Sequence, residues 1–232
     1  MQTKSYLIAS VAALGLASCG GQSASIDTET PAAPAVDLNA ALTDVATGAY
    51  SLERNHAFLT FQVSHANGVS SYQVALTDLD VDVSLDTANP EASSVTASIN
   101  PMGVQANYPS DYKAGHPDSV YESWNEDISR DAKWLNADAF PEITFASTSV
   151  ERTGADTGTV TGDLTFLGQT KPVTLDVTFN GHTNVPWFGE RDVIGFNATT
   201  TLTRSEWGMD SFLPFVGDEV AIAFSGEFLQ DE

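Results

Sequence analysis

The chain has 232 residues and a formal charge of −22 at pH 7, from 9 basic and 31 acidic residues. This length corresponds to one large domain or two small ones, and it is ample for a buried hydrophobic core. The acidic excess leaves no basic patch, so composition argues against nucleic acid as a partner and against electrostatic attachment to anionic lipids.

The N-terminus carries an export and lipidation pattern. A short start with Lys4 as its only charge precedes an apolar stretch from Tyr6 to Leu16, which is too short to span a bilayer. The sequence LASC ending at Cys19 resembles the bacterial lipobox, in which the cysteine is diacylated and the chain is cut before it. Cys19 is the single cysteine of the chain and has no disulfide partner. We therefore expect residues 1–18 to be a lipoprotein signal peptide and Cys19 to be lipidated.

The next segment predicts a tether. Residues 19–47 are rich in Ala, Ser, Thr, Pro and Asp and show no apolar periodicity. Such a composition buries too little apolar surface to order itself, and a coil of this length spans about 30 Å. Gly20 after the cysteine, in place of Asp, is typical of sorting to the outer membrane. We expect a periplasmic protein held at that membrane by its acyl chains.

From Ala49 onward, apolar residues recur with a period of two, which is typical of strands with one apolar and one polar face. The pattern predicts eight or nine strands in a single domain over residues 48–232. The predicted strand segments are 49–54, 58–63, 79–85, 95–99, 143–150, 160–166, 173–179, 194–202 and 220–228.

Two features interrupt this pattern. The apolar phase shifts between Leu76 and Leu79, which indicates a bulge near Thr77. Residues 119–136 place apolar and aromatic side chains at near-helical spacing. We predict a helical insertion there that ends before Pro141, because the residue preceding a proline disfavours helix.

The predicted strands form a run of antiparallel neighbours, and closure into a barrel would remove exposed edges. Their apolar face is predicted to point inward, because the polar face carries many carboxylates and the strands lack aromatic girdles at both ends. The sequence therefore predicts an all-β fold, an antiparallel barrel with one helical insertion.

Five blocks of the sequence resemble the YceI-like family of exported, lipocalin-like proteins. In chain order they are YSLERNHAFLTFQVSH (50–65), RDAKWLNADAFPEITF (130–145), VTGDLTFLGQTKPVTLDVTF (160–179), GFNATTTLTRSEWGM (195–209) and VGDEVAIAFSGEF (216–228). The first block is similar to the family's opening strand pair. The resemblance implies an extended eight-stranded barrel whose elongated apolar bore holds a long polyisoprenoid, such as an isoprenoid quinone or a prenyl lipid.

The inward positions combine aromatic rings with small residues such as Ala97 and Ala198. An eight-stranded barrel is either filled by its side chains or holds one slender ligand, and the residues alone favour neither interpretation. The family resemblance favours the cavity. We predict that the ligand contacts Phe58, Phe61, Phe145, Phe166, Phe179, Trp187, Phe196, Trp207, Phe224 and Phe228.

The polar candidates have structural interpretations. His56 and His65 are predicted to be structural, and His116 and His182 are predicted to lie in loops. Four histidines without ligand spacing and without a second cysteine make a poor zinc site, so we predict no metal. Arg204 is predicted to pair with an acidic neighbour at the barrel end, with a ligand headgroup as the alternative partner.

Enzyme signatures such as G-x-S-x-G, H-E-x-x-H, Walker and G-x-G-x-x-G patterns are absent from the sequence, so we expect neither catalysis nor a cofactor. The leading hypothesis is binding, sequestration or transport of an isoprenoid lipid. One alternative is an accessory protein that delivers quinone to a membrane-bound cytochrome. Others are catalysis on a lipid and a ligand-free stress or interaction protein. The apolar loop 212–215 is a candidate to cover the bore or to contact a membrane or a partner, and a homodimer stays open.

Overall fold

The computed structural model describes residues 40–232, so the predicted signal peptide, Cys19 and the start of the predicted tether lie outside the described residues. Ten strands form one antiparallel sheet. The strands are β1 (Gly48–His65), β2 (Ser70–Leu76), β3 (Leu79–Leu85), β4 (Ser94–Ile99), β5 (Val104–Gln105), β6 (Ile143–Arg152), β7 (Thr157–Phe166), β8 (Gln169–Thr183), β9 (Val193–Thr203) and β10 (Val216–Gln230).

The sheet closes on itself, because β1 pairs with β10 on one side and with β3 on the other. The barrel order is β1, β3, β4, β6, β7, β8, β9 and β10, which confirms the predicted eight-stranded antiparallel barrel. The short β2 and β5 extend the wall beside the second half of β1. Closure pairs the edge strands that would otherwise be open to aggregation.

The predicted strand pair at the start of the domain is wrong, since β1 is one strand of 18 residues. Its register against β10 shifts between Leu52, opposite Phe228, and Ala57, opposite Gly226. This irregularity changes which face the side chains occupy, because each single-residue slip in register moves the following side chains to the opposite face. The alternation of apolar and polar residues along β1 therefore looks like that of two short strands.

The predicted interruption near Thr77 is present, because β2 and β3 lie end to end along β1 and separate there. The Thr77 amide donates to the carbonyl of Gly103 at 3.0 Å, and the Asn100 amide donates to the carbonyl of Asp78 at 2.9 Å. Backbone groups that leave the sheet at this point thus find partners in residues 100–103.

The helical insertion is present but shorter than predicted. It contains α1 (Tyr112–Gly115) and α2 (Trp124–Arg130). The α2 helix begins after Ser123, whose hydroxyl accepts a hydrogen bond from the Glu126 amide at 3.2 Å. The described part of the chain also contains five 3₁₀ turns, at Ala40–Leu42, Pro90–Ala92, Pro101–Gly103, Pro186–Phe188 and Arg204–Trp207. Among the helices of residues 40–232, none has both the length and the apolarity needed to cross a bilayer.

The barrel has two different ends. The hairpin end carries the start of β1 and the connections 86–93, 153–156 and 184–192. The helical end carries the turns 66–69 and 167–168, the long connection 100–142 and the connection 204–215.

The end of the segment predicted as a tether packs against the barrel. Leu42 and Val45 are buried in the core, and the Tyr50 hydroxyl donates to the carbonyl of Ala46 at 2.8 Å. The segment that packs against the barrel therefore already includes residue 42. Two apolar side chains in a polar stretch have no periodicity, so the composition of the segment conceals their burial.

Candidate functional site

The barrel encloses an almost entirely apolar cavity of about 400 Å³, a volume in the range of small-molecule sites. Its lining reaches from Leu85 and Pro90 at the hairpin end to Ile128 and Trp134 at the helical end. The bore is therefore not filled by the protein's own side chains, and the interpretation as a cavity describes this structure.

Eight of the ten side chains predicted to contact a ligand line this cavity. They are Phe61, Phe145, Phe166, Phe179, Phe196, Trp207, Phe224 and Phe228. Their rings contact one another around the wall, with Phe179 and Phe196 5.3 Å apart and Phe196 and Phe228 6.0 Å apart between centroids. These contacts place an aromatic cluster on one side of the bore.

The cavity lining includes neither Phe58 nor Trp187. Phe58 is 66% exposed, while the adjacent Leu59 and the later Phe61 line the cavity. Phe58 and Phe61 are three residues apart, so they point to opposite faces of a regular strand and the inward placement of Phe58 was wrong. Trp187 is 75% exposed and belongs to the connection 184–192, outside the cavity.

Aliphatic residues complete the wall, and the sequence prediction did not include them in the site. They occupy the inward positions of β7 to β10 and are only half-buried, because they face the void. The sequence signal that could have identified these residues is the period of two that predicted the strands. The residues are Leu164, Val173, Leu175, Val177, Leu202, Val220 and Ile222.

Two glycines allow aromatic rings to lie close against the wall. A Cβ atom on Gly162 would stand 2.4 Å from Cζ of Phe145, and one on Gly226 would stand 2.5 Å from Cζ of Phe224. Each ring thus occupies the space that a side chain on the glycine would need. The Phe145 ring therefore covers Gly162 and the Phe224 ring covers Gly226, so these two small residues leave no gap in the wall.

The helical end of the cavity is closed. Leu135, Arg204 and Trp207 are buried there, and none of the lining residues that the structure describes at this end is exposed. Leu135 follows α2, and Lys133 lies between the helix and Leu135. The ammonium group of Lys133 donates to the buried carboxylate of Asp127 in α2 at 3.0 Å. A charged network outside the bore thereby holds the apolar cap in place.

Arg204 is 3% exposed, and within residues 40–232 it forms no ion pair of the predicted kind. Its guanidinium donates instead to four backbone carbonyls, two in the connection 204–215 and two at the start of β10. They are Gly217 at 2.7 Å, Met209 at 2.6 Å, Ser211 at 2.9 Å and Val216 at 2.8 Å. Burial lowers the pKa of Arg204, and the carboxylates of Asp218 and Asp210 oppose this effect. Arg204 therefore fixes the loop that closes the helical end.

The hairpin end of the cavity is open. Here the lining includes the exposed residues Ser94, Glu151, Asp156 and Thr157. They belong to the start of β4 and to the β6–β7 hairpin. We call these residues, with Ser93, Arg152 and Thr159 beside them, the mouth of the bore.

The histidines do not converge on one site. His56 pairs with Glu53, and His65 stacks on Tyr72 with ring centroids 4.7 Å apart. His182 lies in β8, so its predicted loop position was wrong. Within residues 40–232, no group of three His, Cys, Asp or Glu side chains is arranged to hold a metal ion.

Comparisons with known proteins agree with this architecture. The family model of the YceI-like domain matches residues 50–228. A UPF0312 protein of Pseudomonas putida is 40% identical over 162 residues, which cover 68% of this chain and 73% of the relative.

Two solved structures share the fold. Burkholderia cenocepacia BcnA has a TM-score of 0.58 and 21% identity, over 76% of this chain and 98% of that chain. A polyisoprenoid binding domain from Saccharophagus degradans, implicated in plant cell wall breakdown, has a TM-score of 0.50 and 12% identity, over 78% of this chain and 98% of that chain.

Proposed function

This chain belongs to the YceI-like family, and we propose that it binds a long isoprenoid lipid in its bore without catalysing a reaction. The observation that carries the proposal is one apolar cavity that opens at the hairpin end and is closed at the helical end. The fold shared with the polyisoprenoid binding domain of Saccharophagus degradans supports the same ligand class.

The shape of the cavity suits a thin, branched hydrocarbon. The two strands β8 and β10, of 15 residues each, give their side of the wall a length of roughly 35 Å at a typical barrel tilt. Burial of each CH₂ group contributes about 0.8 kcal/mol, so each five-carbon isoprene unit contributes up to roughly 3–4 kcal/mol. Affinity saturates before a long chain is counted in full. Hydrocarbon burial alone is thus sufficient for tight binding, and polar groups need only orient the ligand.

The proposal includes a role at a membrane. Leu42 and the start of β1 lie at the hairpin end, which is also the end with the mouth. A lipid anchor on Cys19 would hold the protein at the bilayer that supplies the ligand. We propose that the protein sequesters or carries a quinone or polyprenyl lipid in the periplasm.

The proposal is tested with the full chain in an uncharged detergent, by displacement of a fluorescent C20 prenyl probe with geranylgeraniol. Ala198 in β9 lines the cavity, whereas Ala223 in β10 is exposed on the outer surface. We expect Ala198→Trp to weaken binding by about tenfold or more, since the indole occupies ligand space. The matched variant Ala223→Trp should bind like the wild type.

Absence of binding to the wild-type chain would contradict the proposal and favour the ligand-free alternative. Equal affinities of the Ala198→Trp and Ala223→Trp variants would place the lipid outside the bore, which also contradicts it.

A further inference from the structure

We infer that this bore selects isoprenoid lipids with an uncharged headgroup, such as a quinone or a free prenol, over prenyl phosphates. The inference rests on the proposed function and concerns the mouth of the bore. A lipid tail fills the apolar interior whatever its headgroup. The choice between headgroups therefore depends on the groups that surround the polar end of the ligand.

The headgroup of a bound lipid belongs at the mouth. The closed helical end is lined by buried side chains such as Leu135 and Trp207, and a polar group placed there would lose its hydration. The mouth, in contrast, offers exposed polar groups beside water. A lipid thus inserts its tail first and leaves its headgroup at the hairpin end.

The mouth is acidic. Glu151 and Asp156 are both exposed and both line it, with Arg152 between them in sequence. The neighbouring connection 86–93 adds Asp86 and Glu91. Carboxylates therefore outnumber cations around the opening, in a chain that already carries a formal charge of −22. An anionic headgroup would be repelled by these groups over the roughly 8–10 Å that charges act in physiological salt.

The two cationic side chains that line the described part of the cavity are both bonded to backbone. Arg152 donates through Nη2 to the carbonyls of Gly154 and Ala155 in its own turn. Arg204 lies at the opposite, closed end and donates to four carbonyls. Neither arrangement presents the fork of donors at the mouth that arginine uses to bind a phosphate.

Uncharged headgroups find suitable partners at the same place. Four residues that carry hydroxyl groups belong to the mouth, namely Ser93, Ser94, Thr157 and Thr159. The Ser93 oxygen accepts a hydrogen bond from the Asp86 amide at 2.9 Å, which leaves its proton to be donated. Such hydroxyl donors fit the carbonyl oxygen of a quinone or the oxygen of an alcohol.

The test uses the displacement assay with two ligands of the same tail, geranylgeraniol and geranylgeranyl phosphate. We expect the alcohol to bind about tenfold more tightly than the phosphate at low salt. This ratio should shrink in 1 M NaCl, where the screening length falls to about 3 Å.

Matched variants locate the effect. The double variant Glu151→Gln/Asp156→Asn should reduce the ratio several-fold. The control Asp163→Asn/Asp176→Asn removes the same charge from exposed positions of β7 and β8 and should keep the wild-type ratio.

The outcomes separate this inference from the proposed function. Phosphate binding as tight as alcohol binding would overturn the inference while the proposed function stands. An equal loss of discrimination in the mouth variant and in the control would also overturn it, because net charge and not the mouth would then be responsible. Failure of both ligands to bind would contradict the proposed function itself.

Discussion

The two sides of the barrel wall bury similar side chains to different degrees. On β2 to β4 the inward residues Val74, Leu79, Val81 and Ile99 are at most 8% exposed, whereas inward residues of β7 to β10 such as Leu175 stay half-buried. The β2–β4 side packs into one core cluster with residues from outside the barrel ladder, namely Leu42, Val45, Val104 and Leu135. Residues of both sides line the cavity, but those of β7–β10 are less tightly covered by neighbouring side chains. The same strand pattern thus makes a tightly or a loosely packed part of the wall, depending on what covers it.

The largest difference between the two sides is expected for Leu→Ala truncations. Leu79→Ala should lower the free energy of unfolding by about 3 kcal/mol, because this side chain is 4% exposed and its packed neighbours lose contacts. Leu175→Ala should cost only about 1 kcal/mol, since it enlarges an existing void. Urea denaturation of both variants measures these costs. Equal costs would contradict the difference in packing between the two sides.

The two ends of the barrel are compared through arginines. Arg204→Lys should cost about 2–3 kcal/mol of unfolding free energy, because an ammonium group cannot donate to all four carbonyls that the guanidinium contacts. Arg191→Lys, in the half-exposed connection 184–192 at the open end, should change stability by less than about 0.5 kcal/mol. Urea denaturation measures both unfolding free energies. An Arg204→Lys variant as stable as the wild type would show that the connection 204–215 does not depend on the guanidinium.

A smaller effect is expected where a ring covers the hollow wall. Gly162→Ala should destabilise the fold by about 1–2 kcal/mol, since the new methyl group collides with the Phe145 ring and the Ala146 carbonyl. The control Gly115→Ala adds its methyl group where no atom lies within 4 Å. Thermal unfolding of the two variants tests the contact, and a neutral Gly162→Ala would show that the ring moves freely into the cavity.

The smallest expected effect is a pH dependence at the closed end. Hydrogen bonds from the hydroxyl and amide of Ser205 lower the pKa of Asp218. A carboxyl whose folded pKa lies below its unfolded value stabilises the fold above the unfolded pKa, and this contribution is lost as pH falls through the folded pKa. The unfolding free energy should therefore decrease as the pH falls below about 4.

The Asp218→Asn variant should show a flatter acid limb in urea denaturation between pH 3 and pH 7. Asp163→Asn, on the exposed face of β7, serves as its control. If the two variants have the same pH profile, the Asp218–Ser205 contact contributes nothing to acid stability.

Much of the barrel could be predicted because strand alternation is a local property. The predicted segment 79–85 coincides with β3, and the others lie within longer strands. Phe58 was misplaced although strand alternation sets Phe58 and Phe61 on opposite faces. The sequence of β1 alone does not contain the register shift between Leu52 and Ala57, because that shift depends on pairing with β10. The cavity itself was undecided from the residues, since alternation describes a filled and a hollow barrel equally well. The closed end depends on long-range contacts such as those of Arg204, and no periodicity reveals them.

The most direct test of the central claim, a bore that holds an isoprenoid lipid, is native mass spectrometry of the chain purified from its own host. We predict a bound mass that organic extraction identifies as an isoprenoid lipid, present in the wild type and in Ala223→Trp and lost in Ala198→Trp. Repeated recovery of the wild-type chain without any bound lipid would contradict the account.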